Sequence, residues 1–294
     1  LSTNNALVLQ GELGFVGTTN LNLGTGTVSL SGGTRTIFTQ ANLLTLGGVV
    51  IDGGTTAGSI IKAGGGTLGL SGTNTFTGGV TLLQGTLSVL NDLAVGSSGS
   101  LLFAGGTLQY GAGVTADLSG RFAAVGSGTT AFVDVGTSNV SFATGFSGSG
   151  GFSKLGSGVL TLTGASSYLG VGSVVAGILN VQNATALGGT AAQTVVSSGA
   201  TMQLQGGLNF GAEPLTISGN GFAGQSGALL NVSGSNTLSG LVTLGAASII
   251  ASDAGTLTLG GGVTGAFGLT LSGLGNGLIS GSLGTVNQLT KSGP

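Results

Sequence analysis

The sequence predicts an all-β fold, a parallel β-solenoid of about 14 coils of roughly 19–23 residues each. Three observations lead there: glycine at 65 of 294 positions, short stretches in which apolar and small polar residues alternate, and a segment that recurs without a gap. Glycine interrupts every window long enough for a helix. With two prolines and no G-x-y period, a collagen helix is excluded. An apolar content of 40% and a net charge of −2 argue equally against disorder.

In chain order, a glycine repeatedly opens a four-residue alternating run: T-V-S-L after Gly26, T-L-G-L after Gly66, T-L-S-V after Gly85 and T-L-Q-Y after Gly106. The second half repeats this with V-L-T-L after Gly158, I-L-N-V after Gly177 and T-L-T-L after Gly255. Strict alternation over four or five residues marks a half-buried strand. Leu68, Leu70, Leu87 and Val89 then point inward, and the Ser and Thr between them face water. Glycine, Asn and Ser between the runs supply the positive φ angles of turns. Spacings of 19 residues (Gly66 to Gly85, Gly158 to Gly177) and 21 (Gly85 to Gly106) measure the coil.

Residues 62–96 align on residues 154–188 without a gap. The shared positions include Lys62/Lys154, Gly64/Gly156, Gly66/Gly158, Leu68/Leu160, Leu70/Leu162 and Gly72/Gly164, then Gly85/Gly177, Leu87/Leu179 and Val89/Val181. Phe76 stands opposite Tyr168, and a third copy begins at Lys291. The expectation is one continuous solenoid over residues 1–294, a segment of a longer array. Two further motifs recur: A-x-x-L-T-L-G-G-x-V at 41–50 and 254–263, and S-G-x-N-T at 71–75 and 233–237.

The string K-x-G-x-G-T-L-x-L-S-G-x-N-T-F-T-G-G-V-T-L-x-x-G-T-L-x-V at 62–89 resembles the passenger-associated transport repeat, also called the autotransporter-associated β-strand repeat. The likeness is weaker at 154–181, where Ala165-Ser-Ser-Tyr168 replaces the T-N-T-F core. The resemblance implies a right-handed parallel β-helix within a large secreted passenger of a Gram-negative bacterium. It also implies an extracellular or outer-membrane-associated location, and a part in the passenger's own secretion.

The chemistry the chain can carry is narrow. Cys, His and Trp are absent, so no disulfide forms and no thiolate or imidazole can ligate a metal. No cofactor, metal or catalytic residue is expected. The apolar runs at 47–51 and 246–251 fall far short of the ~20 residues of a membrane helix, and no membrane span is expected. Five scattered basic residues make no nucleic-acid stripe. A P-loop needs glycine directly before its lysine, but Ile61, Ser153 and Thr290 precede Lys62, Lys154 and Lys291. A G-x-G-x-x-G at 219–224 is what chance supplies in a chain this rich in glycine.

Among the seven acids, Asp117 and Asp134, with Arg121 nearby, are the pair a β-helical polysaccharide lyase or hydrolase would use; a surface pair at a turn is the preferred reading. Asp52-Gly-Gly is the one conceivable calcium site. Lys62 and Lys154 read as solvated turn residues paired to a carboxylate. Phe122, Phe132, Phe142, Phe146 and Phe152 read as an internal aromatic column.

A structural role follows: a cell-surface β-helical stalk or fibre segment supporting adhesion, aggregation or matrix formation and passenger secretion. The alternative is an adhesin module that binds glycans or neighbouring cells. With only 4% charged residues, the outer faces are uncharged, and the end coils offer open strand edges. Self-association is therefore expected, lateral or end to end, up to a filament.

Overall fold

A computed structural model describes residues 4–293, and its strands pair in parallel throughout. They gather into two compact units, Leu1–Ser138 and Asn139–Pro294. In the first unit one ladder climbs through Leu21–Asn22, Leu43–Leu46, Thr67–Leu70, Thr86–Val89, Thr107–Tyr110 and Thr130–Asp134. A second runs through Leu13–Phe15, Thr34–Thr39, Ser59–Ala63, Val80–Leu82 and Leu101–Phe103. A short third face joins Leu7–Val8, Val28–Ser29 and Val50–Ile51.

The second unit repeats the plan. Its longest ladder holds Val140–Phe142, Val159–Leu162, Gly177–Val181, Ala200–Gln205, Leu229–Ser233, the end of Val242–Ser252, Gly268–Ser272 and Gln288–Lys291. Beside it stand Gly151–Leu155, Gly172–Val174, Thr194–Val196, Leu215–Gly219, the start of Val242–Ser252 and Val263–Thr264. Asn209–Phe210, Ser235–Leu238, Thr256–Leu259 and Asn276–Ile279 form the third face. The chain is a β-solenoid of about 14 turns.

Alternation puts the core where the sequence places it. Leu68, Leu87 and Leu108 are paired rung to rung, Leu70, Val89 and Tyr110 likewise, and all six are buried. Each such leucine withdrawn from water contributes roughly 1.5–3 kcal/mol. Thr67 and Thr86 lie half-exposed on the outer face, whereas Ser88 is buried between Gly69 and Gln109 of the neighbouring rungs.

Coil length departs from the expected range. Leu68 meets Leu87 at 19 residues, but Leu108 meets Val133 at 25 and Met202 meets Leu229 at 27. The excess is held in corners rather than strands. The first of these long coils contains the short 3-10 turn Ser119–Arg121, so the rungs stay in register while the loop lengthens.

The aromatic column is real in part. Phe142, Phe146, Phe152 and Tyr168 are buried together in the second unit. The rings of Phe146 and Phe152 stack at 4.5 Å, with Phe142 edge-on to Phe146 at 6.0 Å. Phe132 does not join it. Phe132 has the outward parity of its strand, between the buried Ala131 and Val133, and Phe122 sits edge-on to Phe103 at 5.3 Å.

Candidate functional site

The positions shared by residues 62–96 and 154–188 converge on one corner of the coil. Lys62 has the inward parity of Ser59–Ala63, so its stem enters the core beside Ile60 and is fully buried; Lys154 on Gly151–Leu155 is buried to the same degree. Both lysines leave the corner through glycines, Gly64 and Gly156, with φ of 76° and 75°.

At the end of the stem the ammonium meets backbone oxygens. Lys62 Nζ donates to the carbonyls of Ala63 (2.9 Å), Gly64 (2.7 Å) and Gln84 (3.0 Å). Lys154 Nζ donates to Leu155 (3.2 Å), Gly156 (2.8 Å) and Ala176 (2.8 Å). The offsets are the same in both copies: one, two and 22 residues on. Two acceptors belong to the lysine's own corner and the third to the coil stacked on it. Lys291 makes the first two contacts at the same offsets, to Ser292 (3.4 Å) and Gly293 (3.2 Å).

This overturns the reading of Lys62 and Lys154 as solvated turn residues paired to carboxylates. A buried cation needs partners. Here they are carbonyls, each carrying a partial negative charge, aimed inward by the glycine turn. Burial lowers the Lys62 pKa to about 8, which still leaves it cationic at neutral pH. The three acceptors favour that same charged state.

The remaining shared positions frame the corner. Gly66, Gly72, Gly158 and Gly164 are buried at coil bends, while Leu160, Leu162, Leu179 and Val181 match Leu68, Leu70, Leu87 and Val89 in the core. Gly85 and Gly177, each with φ of 66°, cross directly over the lysine corner of the coil below. A Cβ at Gly85 would lie 2.3 Å from the Gly64 oxygen, and one at Gly177 2.5 Å from the Gly156 oxygen.

Other polar side chains tie coil to coil in the same way. Asn74 accepts from Val50 N–H (2.7 Å) and donates to the Ala94 carbonyl (2.5 Å). Asn236, its counterpart in the second S-G-x-N-T, accepts from Leu208 N–H at 2.7 Å. Both asparagines are buried, so this motif is a bracket between coils. Arg121 donates to the carbonyls of Val95, Gly96 and Gly99 at 2.8–2.9 Å and also to that of Ser98.

The acids behave likewise. Asp134 accepts from Gly136 N–H and Gln109 Nε2, and Asp117 accepts from Ser119 N–H and its hydroxyl. Asp134 lies on the strand Thr130–Asp134, and Asp117 in the loop before the 3-10 turn. Asp52 accepts from Gly58 N–H (2.7 Å), Thr77 N–H (2.8 Å) and the Thr77 hydroxyl (2.9 Å). Partial burial pulls its carboxyl upward, but these three donors outweigh that and hold it below the ordinary value. Stability from such a depressed carboxylate is present above the unfolded value and is lost as pH falls below it through the lower folded value. Asp52→Asn is therefore expected to flatten the decline in unfolding midpoint below about pH 4. An acid limb identical to wild type in a pH series of melts would refute the role.

The sequence profile of the family described as passenger-associated-transport-repeat matches residues 60–89 and 152–181, the two lysine corners with their flanking strands. The two matched segments are the two copies that align on each other without a gap. Part of it is also similar to the adhesin BmaC autotransporter of Brucella suis biovar 1 (strain 1330), at 41% identity over 138 residues. That match takes in 46% of this chain and spans 4% of the relative's length. No solved structure matches the chain. In each repeat the lysine, the turn glycine two residues on and the crossing glycine form one unit: a charged plug, its acceptor and the lid above it.

Proposed function

We propose that the chain is a stalk segment of an autotransporter-type passenger on a Gram-negative cell surface, non-enzymatic, which carries adhesive parts of a longer protein away from the cell. The observation that bears this reading is the repeat itself. Both copies place their invariant polar group on the inside, bonded to the neighbouring coil, rather than on a face where a ligand could reach it. The relative's name, an adhesin autotransporter, supports the surface setting. Residues 1–294 form one continuous solenoid in this proposal, part of a longer array. Stacking each coil on the last would also assist passenger secretion, by folding in sequence outside the membrane.

Self-association belongs to the same proposal. Leu169, Val171, Val175 and Leu241 stand exposed on the second unit, in a chain with only 4% charged residues. Exposed apolar side chains on a surface short of charge favour lateral association. A rise in mass with concentration in sedimentation experiments is expected; a monomer at all concentrations would remove this part.

The decisive experiment is a swap within the full-length surface protein. Replacing this segment with an unrelated β-solenoid of equal coil number is expected to preserve cell adhesion and surface display. Loss of adhesion with display intact would instead favour the second reading, an adhesin that binds glycans or cells through its own Thr- and Asn-rich faces.

A further inference from the structure

One buried acid stands apart from the repeat. Glu213 lies just before Leu215–Gly219 in the second unit and is 5% exposed. Its Oε1 accepts from the Thr194 hydroxyl at 2.9 Å, while Oε2 is buried with no hydrogen-bond partner. Thr194 sits one coil below, paired to Leu215, and its side chain also bonds the Tyr168 hydroxyl. The result is a chain of three buried polar groups, Tyr168, Thr194 and Glu213.

Burial sets the surroundings against a negative charge. Tyr168 is a titratable group that faces the carboxyl, and burial, with Glu213 nearby, pushes its phenol up, so it stays neutral. Lys154, on the same ladder, commits its ammonium to three corner carbonyls. Gly172 closes the space over the Tyr168 hydroxyl, where a Cβ would stand 2.6 Å away; Gly240 crosses the Glu213 backbone, with a Cβ position 1.8 Å from its carbonyl. An ionised carboxylate here has one donor and an orphaned oxygen, an arrangement that burial makes costly.

We propose that Glu213 is a proton latch, which closes the coils around Thr194–Val196 and Leu215–Gly219 when protonated and loosens them when ionised. The direction follows from its position. Burial raises the Glu213 pKa to about 7, with the Thr194 hydrogen bond acting against that rise. The folded form therefore holds a proton that the opened form releases, from the ordinary carboxylate value up to about pH 7. Stability is full at the acid end of that window, falls through it, and is flat above. A segment bearing this latch is tighter in acidic surroundings than in neutral ones.

Amide hydrogen exchange across residues 194–219, corrected for intrinsic chemical rates, tests this. Protection is expected to fall about tenfold or more between pH 5 and pH 7.5. Glu213→Gln, which keeps the shape without the titration, is expected to hold protection constant over that range. Amides of Thr67–Leu70 and Thr86–Val89 serve as internal controls. Wild-type protection that does not change, or a change that persists in E213Q, would overturn the latch. Should E213Q fail to fold, carbon NMR titration of the wild-type carboxyl decides: a midpoint near 7 supports the proposal and an ordinary carboxylate midpoint refutes it.

Discussion

Lys154→Met is expected to destabilise the second unit by about 3 kcal/mol, and Lys62→Met the first by a similar amount. Methionine keeps most of the stem and volume, so the core contacts survive. What disappears is one donor group serving three carbonyls, including Gln84 or Ala176 of the next coil. Hydrogen bonds to a charged group contribute about 1.5–3 kcal/mol each, and relief from burying the ammonium offsets part of that loss. Arginine is expected to rescue little, because its planar fork does not fit a compact pocket of three converging oxygens. Lys291→Met is the control, since that side chain is exposed. Denaturant melts read the loss, and amine labelling gives an independent check. Lys62 and Lys154 should react only after unfolding, and Lys291 in the native protein. A Lys154→Met midpoint equal to that of Lys291→Met would refute the clamp.

The lysine clamp also shows where reading the chain stops. Its strands are legible because alternation and glycine spacing are local: T-L-S-V after Gly85 needs no knowledge of the rest of the fold to be a strand. The clamp's acceptors are backbone carbonyls, which every residue has and no letter marks. A lysine beside glycines is then indistinguishable from a solvated turn until the coil 22 residues on is in place. The recurrence of the lysine in both copies was the available signal. Asn74 and Asn236 were visible in the same way, as a repeated motif without a partner. Glu213 carried no signal at all: its burial comes from Thr194 and Tyr168, which precede it by one and two coils. Phe132 was misplaced because aromatic clustering in sequence ignores strand parity, which puts it outside.

Gly85→Ala and Gly177→Ala are expected to be at least as damaging, about 3–4 kcal/mol each, and for two separable reasons. Each glycine holds φ of 66°, where an L-residue with a Cβ is strained by about 1–2 kcal/mol. Each also crosses the coil below so closely that the new carbon would lie 2.3–2.4 Å from the Gly64 and Gly66 oxygens, or 2.5–2.7 Å from those of Gly156 and Gly158. Backbone cannot rotate away as a flexible side chain can, so the coils must separate locally. Two other glycines isolate the contributions. Gly113→Ala meets the same kind of angle, φ of 78°, with nothing within 4 Å, and should show the conformational cost alone. Gly65→Ala has no positive φ, and its nearest neighbour is the Gln40 oxygen at 3.5 Å, so it should be close to neutral. The Gly64 oxygen that Gly85 would strike is also an acceptor of Lys62. Pushing it aside therefore weakens the clamp, and the Lys62→Met, Gly85→Ala double variant should cost less than the sum of the singles. Additive costs in that cycle would mean that the lid and the plug act independently, and the corner would no longer be one unit.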